Sequence, residues 1–112
     1  MKLKENLITV LIKQPGKEPE VDPFFENTLA AFQKAVDGYI ESVRLFEDLA
    51  IICDEEGRLK GRPHNANILG VDFVGTVIAV GVDGDSFCSI KPADIEFVKK
   101  LIGGVNCDIR QR

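Results

Sequence analysis

Histidine is almost missing from this chain: His64 is the single one, and it stands in a polar stretch rather than beside other titratable groups. Hydrolytic sites of the usual kinds need a nucleophile held by a base that a third group orients, and nothing in the sequence assembles such a set around His64. Three cysteines, Cys53, Cys88 and Cys107, are widely spaced with no C-x-x-C pair. They read as buried free thiols rather than metal ligands or a disulfide framework. Clusters of cysteine or histidine with metal-ligand spacing are absent, and Asp54-Glu-Glu56 and Asp83-Gly-Asp85 read as solvated acidic turns, so no metal is expected. Glycine signatures that cradle phosphates are lacking too, since Gly81-Val-Asp-Gly84 falls in a hairpin and not ahead of a helix.

Basic charge is also short. Fourteen Lys and Arg face 18 Asp and Glu, a net charge of -4. Binding of long nucleic acid needs an extended basic surface to neutralise phosphates, and this balance argues against it. Near the start the apolar run spans only Leu7–Ile12, too short for a signal-peptide core or a membrane span, so a cytoplasmic protein is expected.

What is present fits one domain over residues 1–112: 45% hydrophobic content permits a core and 29% charged content keeps it soluble. A domain this small gains from burying further apolar area, which favours self-association. Leu7–Ile12 reads as a central strand buried on both faces, bounded by Gln14-Pro-Gly16. Glu20–Phe25 has strand-like content but carries Pro23, which places it at a sheet edge. Asn27 is positioned to cap a helix from Thr28, with Leu29, Phe32, Ala35 and Val36 as its apolar stripe and Gly38 as its end. Tyr39–Leu45 and Leu49–Cys53 form a hairpin. Phe73–Val82 reads as one long strand with Gly75 and Gly81 marking bulges or close backbone approach, and the Asp83-Gly84 turn returns the chain through Phe87, Cys88 and Ser89. Pro92 opens a second helix with Ile95, Val98, Leu101 and Ile102 buried, ended by Gly103-Gly104. Residues 105–112 alternate apolar and polar and suit a short strand or arm. Hairpins with only two helices predict an α+β fold, a mostly antiparallel sheet with both helices packed against it.

The stretch from Cys53 to Gly70 interrupts this apolar chain with charges, amides, glycines and the histidine. Arg58, Lys60 and Arg62 alternate along it, and an extended backbone would aim all three at one face. In an acidic protein that makes a local positive patch, suited to a small anion. Together with Asn65 and Asn67 for base edges or ribose hydroxyls, Phe73 and Phe87 for stacking, and Arg110 in the tail, these are groups that read nucleotides. No cofactor is required. The same residue types also suit a solvated connection and, for the two phenylalanines, the core. Two other classes stay open: a nucleotide hydrolase using His64 with Glu55 or Glu56, and a protein-binding inhibitor that engages a host factor by strand addition around Val21–Phe25.

Several stretches resemble a family of domains of unknown function found in phages and their bacterial hosts. They are Gln14-Pro-Gly-Lys-Glu-Pro-Glu-Val21, Glu26-Asn-Thr-Leu29, Gly38-Tyr-Ile-Glu41, Cys53-Asp-Glu-Glu-Gly-Arg-Leu-Lys-Gly61, Pro63-x-Asn65, Gly70-x-Asp72, Gly75 and Asp83-Gly84. The likeness covers about residues 7–102. That family looks like the one containing a phage anti-Thoeris sponge for the cyclic ADP-ribose isomers made by TIR-domain immune enzymes. The resemblance implies sequestration without cleavage, by a homo-oligomer built from dimers. Asn65 and the Arg58–Arg62 segment are the matched polar positions it puts first. Sequestration of a signal calls for nanomolar affinity, about -12 kcal/mol.

Overall fold

A computed structural model of the protein describes residues 6–103. Ten elements follow in chain order: β1 (Leu7–Lys13), β2 (Glu20–Glu26), α1 (Leu29–Val36), β3 (Ile40–Phe46), β4 (Leu49–Asp54), β5 (His64–Ile68), β6 (Val71–Val74), β7 (Val77–Asp83), β8 (Ser86–Cys88) and α2 (Pro92–Gly103). The main sheet runs β2-β1-β7-β4-β3, antiparallel throughout, with β8 added to the far end of β7; β5 and β6 pair only with each other. The fold is α+β, as the succession of hairpins predicts.

Residues Leu49–Ile52 of β4 and Val77–Val82 of β7 are apolar at both parities, apart from Gly81, and all are buried. Such strands are stable only when both faces of the sheet are covered. On one face α1 brings Phe32 and Val36 onto Ile8, Val10, Ile52, Ile78 and Val80. There the Phe32 ring meets Phe25 at 4.9 Å and Phe87 at 5.3 Å between centroids. On the other face α2 and the β5–β6 hairpin bring Val98, Ile68 and Phe73 onto Leu11, Ile51, Val77 and Ala79. The helices therefore lie on opposite faces.

Local details differ from the sequence expectation in three places. The cap of α1 is Thr28, whose Oγ1 accepts from the Ala31 N–H at 3.1 Å; Asn27 Nδ2 instead donates to the Phe87 carbonyl at 3.0 Å. Asp37, at φ 61°, takes the left-handed position that ends the helix. Gly38 is needed for another reason: a Cβ there would lie 2.6 Å from Asp54 Oδ1 and 2.7 Å from Lys60 Nζ. The expected long strand is two strands, β6 and β7, broken at Gly75, whose φ of 72° turns the chain out of one sheet and into the other. Cys107, Arg110 and the expected C-terminal strand lie outside the described residues. Cys53 is buried and Cys88 half-buried, and no disulfide joins them.

The Thr28 cap gives a first test. Thr28→Ala is expected to lower stability by ~1 kcal/mol, because one of the first-turn N–H groups of a short helix loses its acceptor. Urea denaturation of the two proteins measures the difference.

Candidate functional site

The polar insertion does not run extended. Residues 55–61 are turns, curled by hydrogen bonds from the Gly57 N–H to the Asp54 carbonyl (3.1 Å), from Lys60 to Glu56 (3.0 Å) and from Arg62 to Gly57 (3.1 Å). Gly61 at φ 70° completes the curl. Arg58, Lys60 and Arg62 consequently do not share a strand face, which corrects the sequence expectation. Lys60 Nζ and Arg62 Nε instead converge on Asp54 Oδ2, at 2.9 and 2.8 Å.

Asp54 ends β4 with its side chain only 1% exposed. Burial pushes its carboxyl up, but hydrogen bonds from Lys60, Arg62 and the Glu56 N–H outweigh that and hold it at about 2. Both cations also reach the end of α1: Lys60 Nζ donates to the Asp37 carbonyl at 3.2 Å, and Arg62 Nη2 to the same carbonyl at 2.7 Å and to Asp37 Oδ2 at 3.2 Å. Their charge is spent on holding the insertion against β4 and α1. It is not a patch offered to solvent.

Arg58 points elsewhere. Its Nη2 donates to the Asp72 carbonyl at 2.5 Å, tying the insertion to β6. Between them opens a cleft of about 440 Å³. β3 and β4 supply Glu41, Val43 and Cys53; the insertion supplies Glu55, Arg58 and Leu59; and β6 supplies Val71, Asp72 and Phe73. Leu59, 88% exposed, and Val71, 37% exposed, make its apolar surface. Apart from the ion-paired Asp54, the cleft holds three carboxylates, Glu41, Glu55 and Asp72, and one guanidinium. Burial, with Glu41 and Asp54 adding to it, pushes the Cys53 thiol up to about 11, so the sulfur in this cleft is a protonated thiol at neutral pH. A smaller pocket of about 250 Å³ lies beside the end of α1, lined by Gln33, Tyr39, Glu56 and Lys60.

Of the residues the sequence puts forward, Arg58 and Phe73 line the cleft, Phe73 as a core ring only 3% exposed. The rest are brought to other places. Asn65 Nδ2 braces the Lys13 and Gly75 carbonyls at 2.9 and 2.7 Å. Asn67 closes the β5–β6 turn, donating to Asp72 Oδ1 (2.8 Å) and accepting from the Gly70 N–H (3.0 Å). Phe87 packs on Phe32 on the opposite face of the sheet. His64 is exposed at the start of β5 and lines neither pocket, and Glu55 and Glu56 fall in different ones. Sequence reasoning missed Glu41, Asp72, Val43 and Leu59 as site residues. A signal existed for three of them: Glu41, Leu59 and Asp72 fall in stretches that carry the family resemblance.

The model of a family described as a domain of unknown function, DUF3846, matches residues 8–103. The chain belongs to that family. For this DUF3846 domain no curated protein and no solved structure gives a match. The match covers every element from β1 to α2, so the cleft lies wholly within the DUF3846 region. Among its described residues no group of three or more His, Cys, Asp or Glu is placed to hold a metal ion, and no helix is long and apolar enough to cross a membrane.

Proposed function

We propose that the protein captures a nucleotide-sized ligand in the cleft between β3 and β6 and gives it back unchanged. This is the sequestering role that the resemblance to the cyclic ADP-ribose sponge implies, with homo-oligomers built from dimers acting in the cytoplasm. The observation that carries the reading is the composition of the cleft: an exposed guanidinium, three carboxylates and an apolar wall around about 440 Å³. Arg58 has the planar fork that grips a phosphate. Glu41, Glu55 and Asp72 can accept from ribose hydroxyls and base amino groups, while Val43, Leu59 and Val71 cover the sugar and base. The neutral Cys53 thiol, and His64, which does not line this cleft, supply no activated nucleophile here, which favours binding over turnover.

The surplus of carboxylates sets the orientation. Phosphates meet Arg58 at the exposed side, and hydroxyls and base face the acids. Arg58→Ala should therefore weaken binding of a cyclic ADP-ribose isomer by ~1.5–3 kcal/mol, the range for a hydrogen bond to a charged group. Glu55→Gln should weaken it by less, since a charged acceptor for a ribose hydroxyl or base amino group becomes a neutral amide. Calorimetric titration measures both, and mass spectrometry after heat release should recover the ligand intact. Unchanged affinity in Arg58→Ala, or recovery of a hydrolysed product, overturns the reading.

A further inference from the structure

The two edges of the main sheet are built differently. On β2, Pro23 has no N–H to offer, the Phe24 N–H is taken by Asp22 Oδ1 at 2.9 Å, and the ladder to β1 shifts register between Ile8 and Val10. These are the devices that keep a foreign strand off an edge. The strand addition expected around Val21–Phe25 meets this protected edge.

The β3 edge carries none of them from Ile40 to Arg44; its one register shift falls beyond, between Arg44 and Phe46. The Tyr39 carbonyl accepts from the Glu55 N–H at 2.8 Å, and the register then pairs Glu41 with Cys53 and Val43 with Ile51. By the alternation of an antiparallel ladder, the odd-numbered residues turn their backbone groups toward β4, and Ser42 and Arg44 turn theirs outward. Side chains alternate the other way. Glu41 and Val43 line the acidic cleft, and Ser42 and Arg44 stand on the face that carries α1.

We infer that the β3 edge accepts an extended, basic segment of a partner protein by strand addition. A strand laid there sits about 4.8 Å outside β3, with every second side chain on the cleft side. Lysine or arginine at those positions meets Glu41, Glu55 and Asp72, against which the cleft sets only Arg58. Residues between them meet Ser42 and Arg44, so neutral polar or acidic side chains fit there and basic ones do not. A second copy of the chain fits less well. Antiparallel self-pairing of β3 brings two acid-rich clefts side by side, and like charges so placed oppose association. The inference rests on the edge and its charge and does not require nucleotide capture; because the basic side chains meet the same three acids, the two ligands compete for the cleft.

The test uses a fluorescent octapeptide of alternating threonine and lysine with the full-length protein. Binding should slow amide hydrogen exchange at Ser42 and Arg44. Glu41→Lys should weaken the complex by about tenfold or more, through like-charge juxtaposition. Of two peptides N-methylated at alternate backbone nitrogens, the one blocked on the side facing β3 should lose binding and the other keep it. Equal binding by both methylated peptides would reduce the effect to charge attraction and overturn strand addition. So would an unchanged affinity in Glu41→Lys. Protection of Ser42 and Arg44 in the protein alone, together with a dimer in sedimentation, would assign the edge to a second copy instead.

Discussion

Asp54→Ala is expected to destabilise the protein by about 3–5 kcal/mol, because it removes a buried carboxylate and leaves its cations without their main counter-charge. For a domain of this size that is a fall in Tm of roughly 10–20 °C. The side chain is 1% exposed and accepts from Lys60, Arg62 and the Glu56 N–H; without it the half-buried Arg62 keeps only Asp37. Lys60 and Arg62 then lose their hold on the end of β4, and the turn that carries Glu55, Arg58 and Leu59 into the cleft loses its anchor. Thermal and urea denaturation measure the stability loss, and ligand titration of the folded variant measures the loss of preorganisation. A drop below about 1 kcal/mol would mean that the turn's own backbone hydrogen bonds hold the insertion.

The same group fixes a pH dependence. Asp54 titrates at about 2 in the folded protein against an ordinary 3.8, so the folded state binds the proton more weakly than the unfolded one. Its contribution is fully present above about pH 4 and is lost as the pH falls through about 2. The interval is worth roughly 2.5 kcal/mol at 1.36 kcal/mol per pH unit. Other carboxylates titrate there too, so the measure is the difference from Asp54→Asn. The gap in stability between the two proteins should narrow by most of that amount, about 2 kcal/mol, from pH 4.5 to pH 2.

Asp54 also shows why the site was less legible than the fold. Strands β1 and β4 follow from short unbroken apolar runs, and β3 and both helices from apolar residues that repeat at 2 or 3.6 where one face is covered. In sequence Asp54-Glu-Glu56 looks like a solvated acidic turn, and no local pattern says that the first of three acids is buried. Once Asp54 is inside, Lys60 and Arg62 are drawn to it, and the alternation that read as a cationic strand face becomes a clamp. Gly75 hid the second feature. Its apolar neighbours on both sides read as one strand, whereas a positive φ sends Val71–Val74 to the hairpin and Val77–Asp83 to the sheet centre. The cleft exists because of that split, which sets Asp72 and Phe73 across from β3. Glu41 falls in a run that reads as a hairpin strand, with nothing in the sequence to set it at an edge, and the acids that join it come from two segments whose placement depends on Asp54 and Gly75.

Gly81→Ala should be about as damaging, by about 3–5 kcal/mol, the sum of overpacking and broken hydrogen bonds. Gly81 sits in β7 between Leu49 of β4 and Cys88 of β8. A Cβ there would lie 2.4 Å from the Ser89 carbonyl oxygen and 3.0 Å from Cys88 Sγ. Backbone contact of that kind cannot be relieved by a rotamer change. Ser89 is itself pinned to β1, because the Thr9 N–H donates to Ser89 Oγ and the Ile90 N–H to the Thr9 carbonyl, both at 2.9 Å. Moving Ser89 away from a new methyl group therefore breaks its ties to β1 and shifts Ile90, a core residue under α2. Amide exchange at Thr9 and Ile90 should quicken in Gly81→Ala well beyond the effect of Ser89→Ala, which removes one hydrogen bond and adds no clash, at ~1 kcal/mol. A variant that loses less than the serine variant would show that the chain after β8 slides freely over β7, and that the close approach at Gly81 does not constrain the sheet.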